Sequence, residues 1–131
     1  MRIRSDVFQQ HAGVLLLRFT VAGLMLFHGI AKLRNGVDGI ESLLQAHGMP
    51  TWFAFGVFIG EIVAPLFVIA GVWVRAAALV IAINIIIAVA LAHPVQVLSL
   101  GRSGGYALEL QAFFFLTAVA VAWLADGGRK R

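Results

Sequence analysis

Four long apolar stretches, roughly residues 14–33, 52–73, 76–92 and 106–124, constrain this chain more than any other feature. A membrane-spanning helix needs about 20 mostly apolar residues, and each stretch meets or approaches that length. They are apolar on most faces, as lipid-embedded helices are, and no two-residue alternation suggests a barrel. Composition agrees: 61% of the residues are apolar, 12% are charged and the mean hydropathy is +0.95. Soluble domains run at about 45–50% apolar and about 25% charged. The expected fold is all-α: a polytopic membrane protein built as one domain, 1–131, with a four-transmembrane-helix bundle.

Trp52, Trp73, Trp123 and Tyr106 all fall at the ends of the stretches. Indole and phenol rings favour the headgroup level, so their placement supports four spans. With four spans both termini share a side, which holds Arg2, Arg4, Arg75, Arg129, Lys130 and Arg131. The other side holds Lys32, Arg34 and Arg102. Six basic residues against three place both termini in the cytoplasm, N-in and C-in, with the chain in the inner membrane. The net charge of +4 therefore reads as topology, not as a nucleic-acid surface. The first stretch follows a basic "MRIR" but runs into "FHGIAKL" without a small-residue cleavage site, so it is read as a retained span.

The loop "RNGVDGIESLLQAHGMPT" carries Ile40, Leu43, Leu44 and His47 at helical spacing. This predicts a short amphipathic helix lying on the outer membrane face, stopped by Gly48 and Pro50. "VWVRAA" is a tight turn that makes a hairpin of spans two and three, and "GRSGGY" reads as a flexible external loop.

Charge inside the spans is costly, at about 2.5–3.5 kcal/mol at mid-membrane on insertion scales. Glu61 follows Trp52 by nine residues. At ~1.5 Å per residue it lies ~14 Å deep and must face protein or water. Arg18, His28 and Lys32 fall within an arc of about 80° on span one, forming an inward polar stripe. Side chains lean toward the helix N-terminus, so His28 leans down and Glu61 leans up. Glu61 is expected to face His28 and Arg18. Arg18 otherwise reaches the cytoplasmic headgroups. Asn84 reads as a structural polar group bonding across a helix interface. His93, before Pro94, and Glu109 are expected to be neighbours at the outer end. The candidate polar pocket is thus Arg18, His28, Lys32, Glu61, His93 and Glu109. Ionisable groups inside a membrane point to ion or substrate paths, with helix locking as the plainer alternative.

Gly56 and Gly60 form a GxxxG suited to close packing, either within the chain or in a homodimer. Pro65, one turn beyond Glu61, frees a carbonyl near Gly60–Glu61. There is no cysteine, which excludes disulfides, thiolate metal sites and iron–sulfur clusters. No HxxxH or ExxH pair shares a helix, so no metal is assigned and haem is not indicated. No P-loop, Rossmann fingerprint or nucleophile elbow is present.

"LLLRFTVAGLMLFHGIAKL", "HGMPTWFAFGVFIGEIVAPLFVIAGVWVRAAAL" and "AHPVQVLSLGRSGGYALELQAFF" resemble, in order and spacing, the DoxX-like family of small four-helix membrane proteins. The motif positions would be Arg18, His28, Lys32, Glu61, Arg75, His93 and Glu109. The ending "LADGGRKR" departs from the G-x-S-x-D-type ending of many relatives. The resemblance implies a link to quinone-dependent oxidoreductases, whose small membrane subunit gave the family its name. The expected function is a redox-associated membrane subunit with an outer-leaflet pocket for a quinone or similar amphiphile. The pocket would hold the ligand's head at His28 and Glu61 and its ring among Phe residues such as Phe113–Phe115. The partners would be the bilayer and a redox protein or a second copy. Two other classes stay open: a small proton-coupled transporter gated at Glu61, and a non-catalytic assembly protein.

Overall fold

A computed structural model describes residues 2–102 and 104–125, apart from the side chains of Arg2 and Ile3. Arg129, Lys130 and Arg131, used above to orient the chain, lie outside the described residues.

Among the described residues five α-helices form, in chain order: α1 (Arg2–Asn35), α2 (Asp38–Ala46), α3 (Ala64–Ala70), α4 (Val74–Ala92) and α5 (Glu109–Leu124). Among the same residues three helical stretches are long and apolar enough to cross a membrane: Arg4–Asn35, Thr51–Ala70 and Val74–Ala92. The apolar α5 is shorter, at 16 residues. The second stretch is composite. It opens with a 3₁₀ turn (Thr51–Gly56), passes through a π turn (Ile59–Val63) and only then becomes α3. α1 starts well before the apolar stretch, because Arg, Gln and Ala between its start and Gly13 favour helix. Residues 4–13 are exposed.

α1 packs against α3 and α5, and α4 packs against the same two, so the four long elements form a ring. The core is Val21, Ala22 and Met25 on α1, Val68 on α3, Ala78 and Ile81 on α4, and Ala118 and Val121 on α5. Alanine dominates the α4–α5 contact, and small residues let helix backbones approach closely where lipid offers no hydrophobic drive.

α2 forms where the spacing predicts it, ending at Gly48 with φ +72°. Its apolar stripe packs on protein. Leu44 is buried with Val37 and Ala54, and Ile40, Val57 and Leu91 pack around them. The helix closes one end of the ring, against the Thr51–Gly56 turn and α4. His47 stays outside that stripe, exposed, and its ring bonds the Leu43 carbonyl.

Two arginines finish helices at the opposite end. Arg18 donates Nε and Nη2 to the Val68 carbonyl at 3.2 and 2.8 Å, next to Gly71, whose φ of +79° ends α3. Arg75 donates to the Ala122 and Ala125 carbonyls at 3.1 and 2.6 Å. The last carbonyls of a helix lack partners and carry partial negative charge, so a guanidinium there is doubly favourable. Arg75→Ala is expected to speed amide hydrogen exchange over the last turn of α5 while leaving α1 protected. Unchanged exchange there would remove this role from Arg75.

Candidate functional site

Glu61 sits in the π turn, four residues before Pro65. Proline has no N–H, so the Glu61 carbonyl has no α-helical partner at that position, and the ladder is re-registered locally. An inserted π residue changes which side chains face inward. Here it turns Glu61 into the ring, where it is 3% exposed.

Lys32 Nζ donates to Glu61 Oε2 at 2.6 Å, forming a salt bridge. Asn84 Nδ2 donates to the same oxygen at 3.2 Å. The other oxygen, Oε1, is buried and has no hydrogen-bond partner among the described residues. Two glycines make this approach possible. A Cβ on Gly29 would lie 2.6 Å from the Glu61 carbonyl oxygen, and one on Gly60 would lie 2.5 Å from Asn84 Cβ. Of the GxxxG pair, Gly60 makes a close contact within the chain, on α4, while Gly56 meets nothing within 4 Å and lines the cavity described next.

The ion pair forms part of the wall of a cavity of about 680 Å³. Met25, Phe53, Val57, Ile85, Leu110 and Phe114 supply apolar wall. His28, Lys32, Glu61, Asn84, His93 and Gln111 supply the polar groups. A largely apolar cleft with a few convergent polar groups is the usual form of a small-molecule site.

The partner of Glu61 differs from expectation. Lys32, one turn beyond His28 on the same stripe, takes the carboxylate. It shares the downward lean assigned to His28, and its four-carbon stem spans the extra rise. The His28 ring instead meets Phe114 edge-on, with centroids 5.6 Å apart, and faces the cavity. Arg18 is committed to Val68 at the far end and does not reach Glu61. His93 lines the cavity, and its Nδ1 pairs with Gln96 Oε1 at 2.7 Å. Glu109 is exposed on the first turn of α5, outside the cavity lining. Asn84, read as structural, bonds Glu61 and lines the cavity as well. Gln111 escaped the sequence reading, although a polar residue two positions past Glu109 in an apolar stretch was the available signal. Of the three adjacent phenylalanines, Phe114 faces the cavity, Phe113 is 75% exposed and Phe115 lines a separate groove between α4 and α5.

Comparison with curated proteins and with solved structures gives no match. The sequence model of the DoxX family matches residues 13–94, well over half of the chain. The match runs from Gly13 in α1 to the end of α4 and so takes in Lys32, Glu61 and Asn84, the three residues of the buried cluster. This membrane protein belongs to the DoxX family.

Proposed function

We propose that the protein is a redox-associated subunit of the inner membrane whose cavity binds a quinone or a similar small amphiphile. The Lys32–Glu61 pair on the wall of a mostly apolar cavity carries this reading. A quinone ring needs an apolar slot and a donor beside a carbonyl. Lys32 uses one ammonium hydrogen on Glu61 and keeps two, and its side chain is 32% exposed. Glu61 sits behind it and holds the ammonium in place. His28 and His93 are further proton-exchanging groups on the same wall. A partner protein supplies or removes the electrons, while this chain positions the ring.

In this reading α5 is the fourth crossing and both termini are cytoplasmic. A fluorescent protein fused after Arg131 is expected to fluoresce, and alkaline phosphatase fused there to be inactive. The reverse pattern would invert the topology.

The binding test uses protein purified in lipid nanodiscs, with its small molecules extracted and identified by mass spectrometry. Wild type is expected to retain a quinone in stoichiometric amount. Gly56→Leu is expected to lose it while keeping the wild-type melting temperature, because a Cβ there meets nothing within 4 Å and the residue lines the cavity. A folded wild type without such a molecule would count against the reading.

A second reading, proton-coupled permeation, draws on Glu61 Oε1, a buried oxygen with no hydrogen-bond partner among the described residues. It requires solute-dependent proton flux in liposomes that Glu61→Gln abolishes.

A further inference from the structure

α5 spans ~24 Å at ~1.5 Å per residue, given its 16 residues. The hydrocarbon core is about 30 Å thick, and tilting shortens the reach further. Beyond Ala125 the sequence turns polar at Asp126, so the shortfall lies at the Glu109 end. The chain at that end is the connection between α4 and α5.

Among its described residues that connection carries turns and a bridge. A 3₁₀ turn runs from Pro94 to Leu98, and Leu100 bridges Tyr106 in antiparallel fashion. The Ser99 N–H donates to Gln96, Ala107 to Ser99, Gly101 to Gly105, and the Tyr106 hydroxyl to Val97. Backbone groups satisfied internally are what non-helical chain requires where water is scarce. Beside the exposed Gln96 and Arg102, three large apolar side chains point outward: Val95 is 86% exposed, Leu98 97% and Leu100 73%. A soluble loop would not keep such residues in water. A groove of about 410 Å³, lined by Ile86, Val89 and Phe115 of the helices, continues onto Pro94, Val97 and Tyr106 of the connection. Its apolar wall suits an acyl chain. Arg102 is exposed in the same connection, where it can pair with a lipid phosphate. Glu109 is also exposed where α5 begins, and the headgroup boundary accepts both an exposed carboxylate and an exposed leucine such as Leu98.

We propose that residues 94–102 and 104–108 form an interfacial membrane anchor, seated at the headgroup–acyl boundary, with a lipid chain in the α4–α5 groove. The proposal rests on reading α5 as the fourth crossing. The sequence has no cysteine, so Leu98→Cys and Phe113→Cys each offer one site for a nitroxide label. The labelled full chain is placed in phosphatidylcholine/phosphatidylglycerol vesicles. Collisions with oxygen and with a water-soluble nickel chelate are then measured, with a free nitroxide as the water reference. The expected result at Leu98 is high oxygen contact and loss of nickel contact, approaching the level at Phe113. Nickel contact at Leu98 equal to the free nitroxide, with Phe113 in lipid, would overturn the anchor and leave the fourth crossing standing. Shielding of Leu98 from both reagents would mean that protein covers the surface, which also overturns it. Phe113 in water would remove the crossing itself and the anchor with it.

Discussion

Lys32→Met is expected to lower the unfolding free energy by about 3 kcal/mol, the low end for removing one partner of a buried ion pair. The low end applies because the Lys32 side chain is 32% exposed, whereas that of Glu61 is only 4% exposed. The loss comes from what remains. Without the ammonium, the buried carboxylate keeps one bond from Asn84 at 3.2 Å and an Oε1 with none. Glu61→Gln is expected to cost about 1 kcal/mol, because a neutral amide oxygen still accepts from both donors and the Lys32 ammonium left without its counter-charge is 32% exposed. The double variant should then be more stable than Lys32→Met alone, with a coupling of about 2 kcal/mol between the two positions. Denaturant titration of the four proteins in mixed micelles measures the cycle. Additive costs would show that the pair is held open in the membrane and that Glu61 has another counter-charge.

Gly29→Ala should be nearly as damaging, although it adds one methyl group. Gly29 is buried, and the new Cβ would lie 2.6 Å from both the Glu61 carbonyl oxygen and Ile62 Cγ1. A side chain can rotate away, but a backbone carbonyl in a helical turn cannot, so α1 and the π turn must separate. Overpacking of this kind costs about 1–3 kcal/mol. The separation also pulls Lys32, on the same helix, away from Glu61. Gly23→Ala is the control, because its Cβ meets nothing within 4 Å on the same helix. In that open position alanine leaves stability unchanged or raises it by up to about 1 kcal/mol through its better helix propensity. Equal shifts in melting temperature for the two variants would show that α1 does not approach the π turn this closely.

Much of the helical layout is legible without coordinates, for a local reason. Whether a stretch such as 76–92 becomes helix depends on its own hydropathy and on the need to satisfy its backbone in lipid. The same locality makes Glu61 conspicuous: one carboxylate within "FIGEIVAPLF" is costly wherever the neighbours stand. The stop at Gly48 and the freed carbonyl before Pro65 are likewise properties of single residues.

Which group answers Glu61 is a different kind of question, and only the tertiary structure decides it. His28 and Lys32 share one face of α1, so their order of preference depends on the axial height of Glu61 and on side-chain reach. That height is altered by the π turn, which no hydropathy pattern announces. Arg18 looks like a pocket residue from its position on the stripe, yet the open carbonyl at the end of α3 lies closer and takes it. α2 is amphipathic by sequence, but lipid and protein are equally apolar partners for Leu44, and only the packing shows that it is buried with Val37 and Ala54. The sequence by itself therefore determined the helices and the residue too costly to be idle. The packing of those helices determined the salt bridge, the cavity and the two arginine caps, because each depends on distances between residues far apart in the chain.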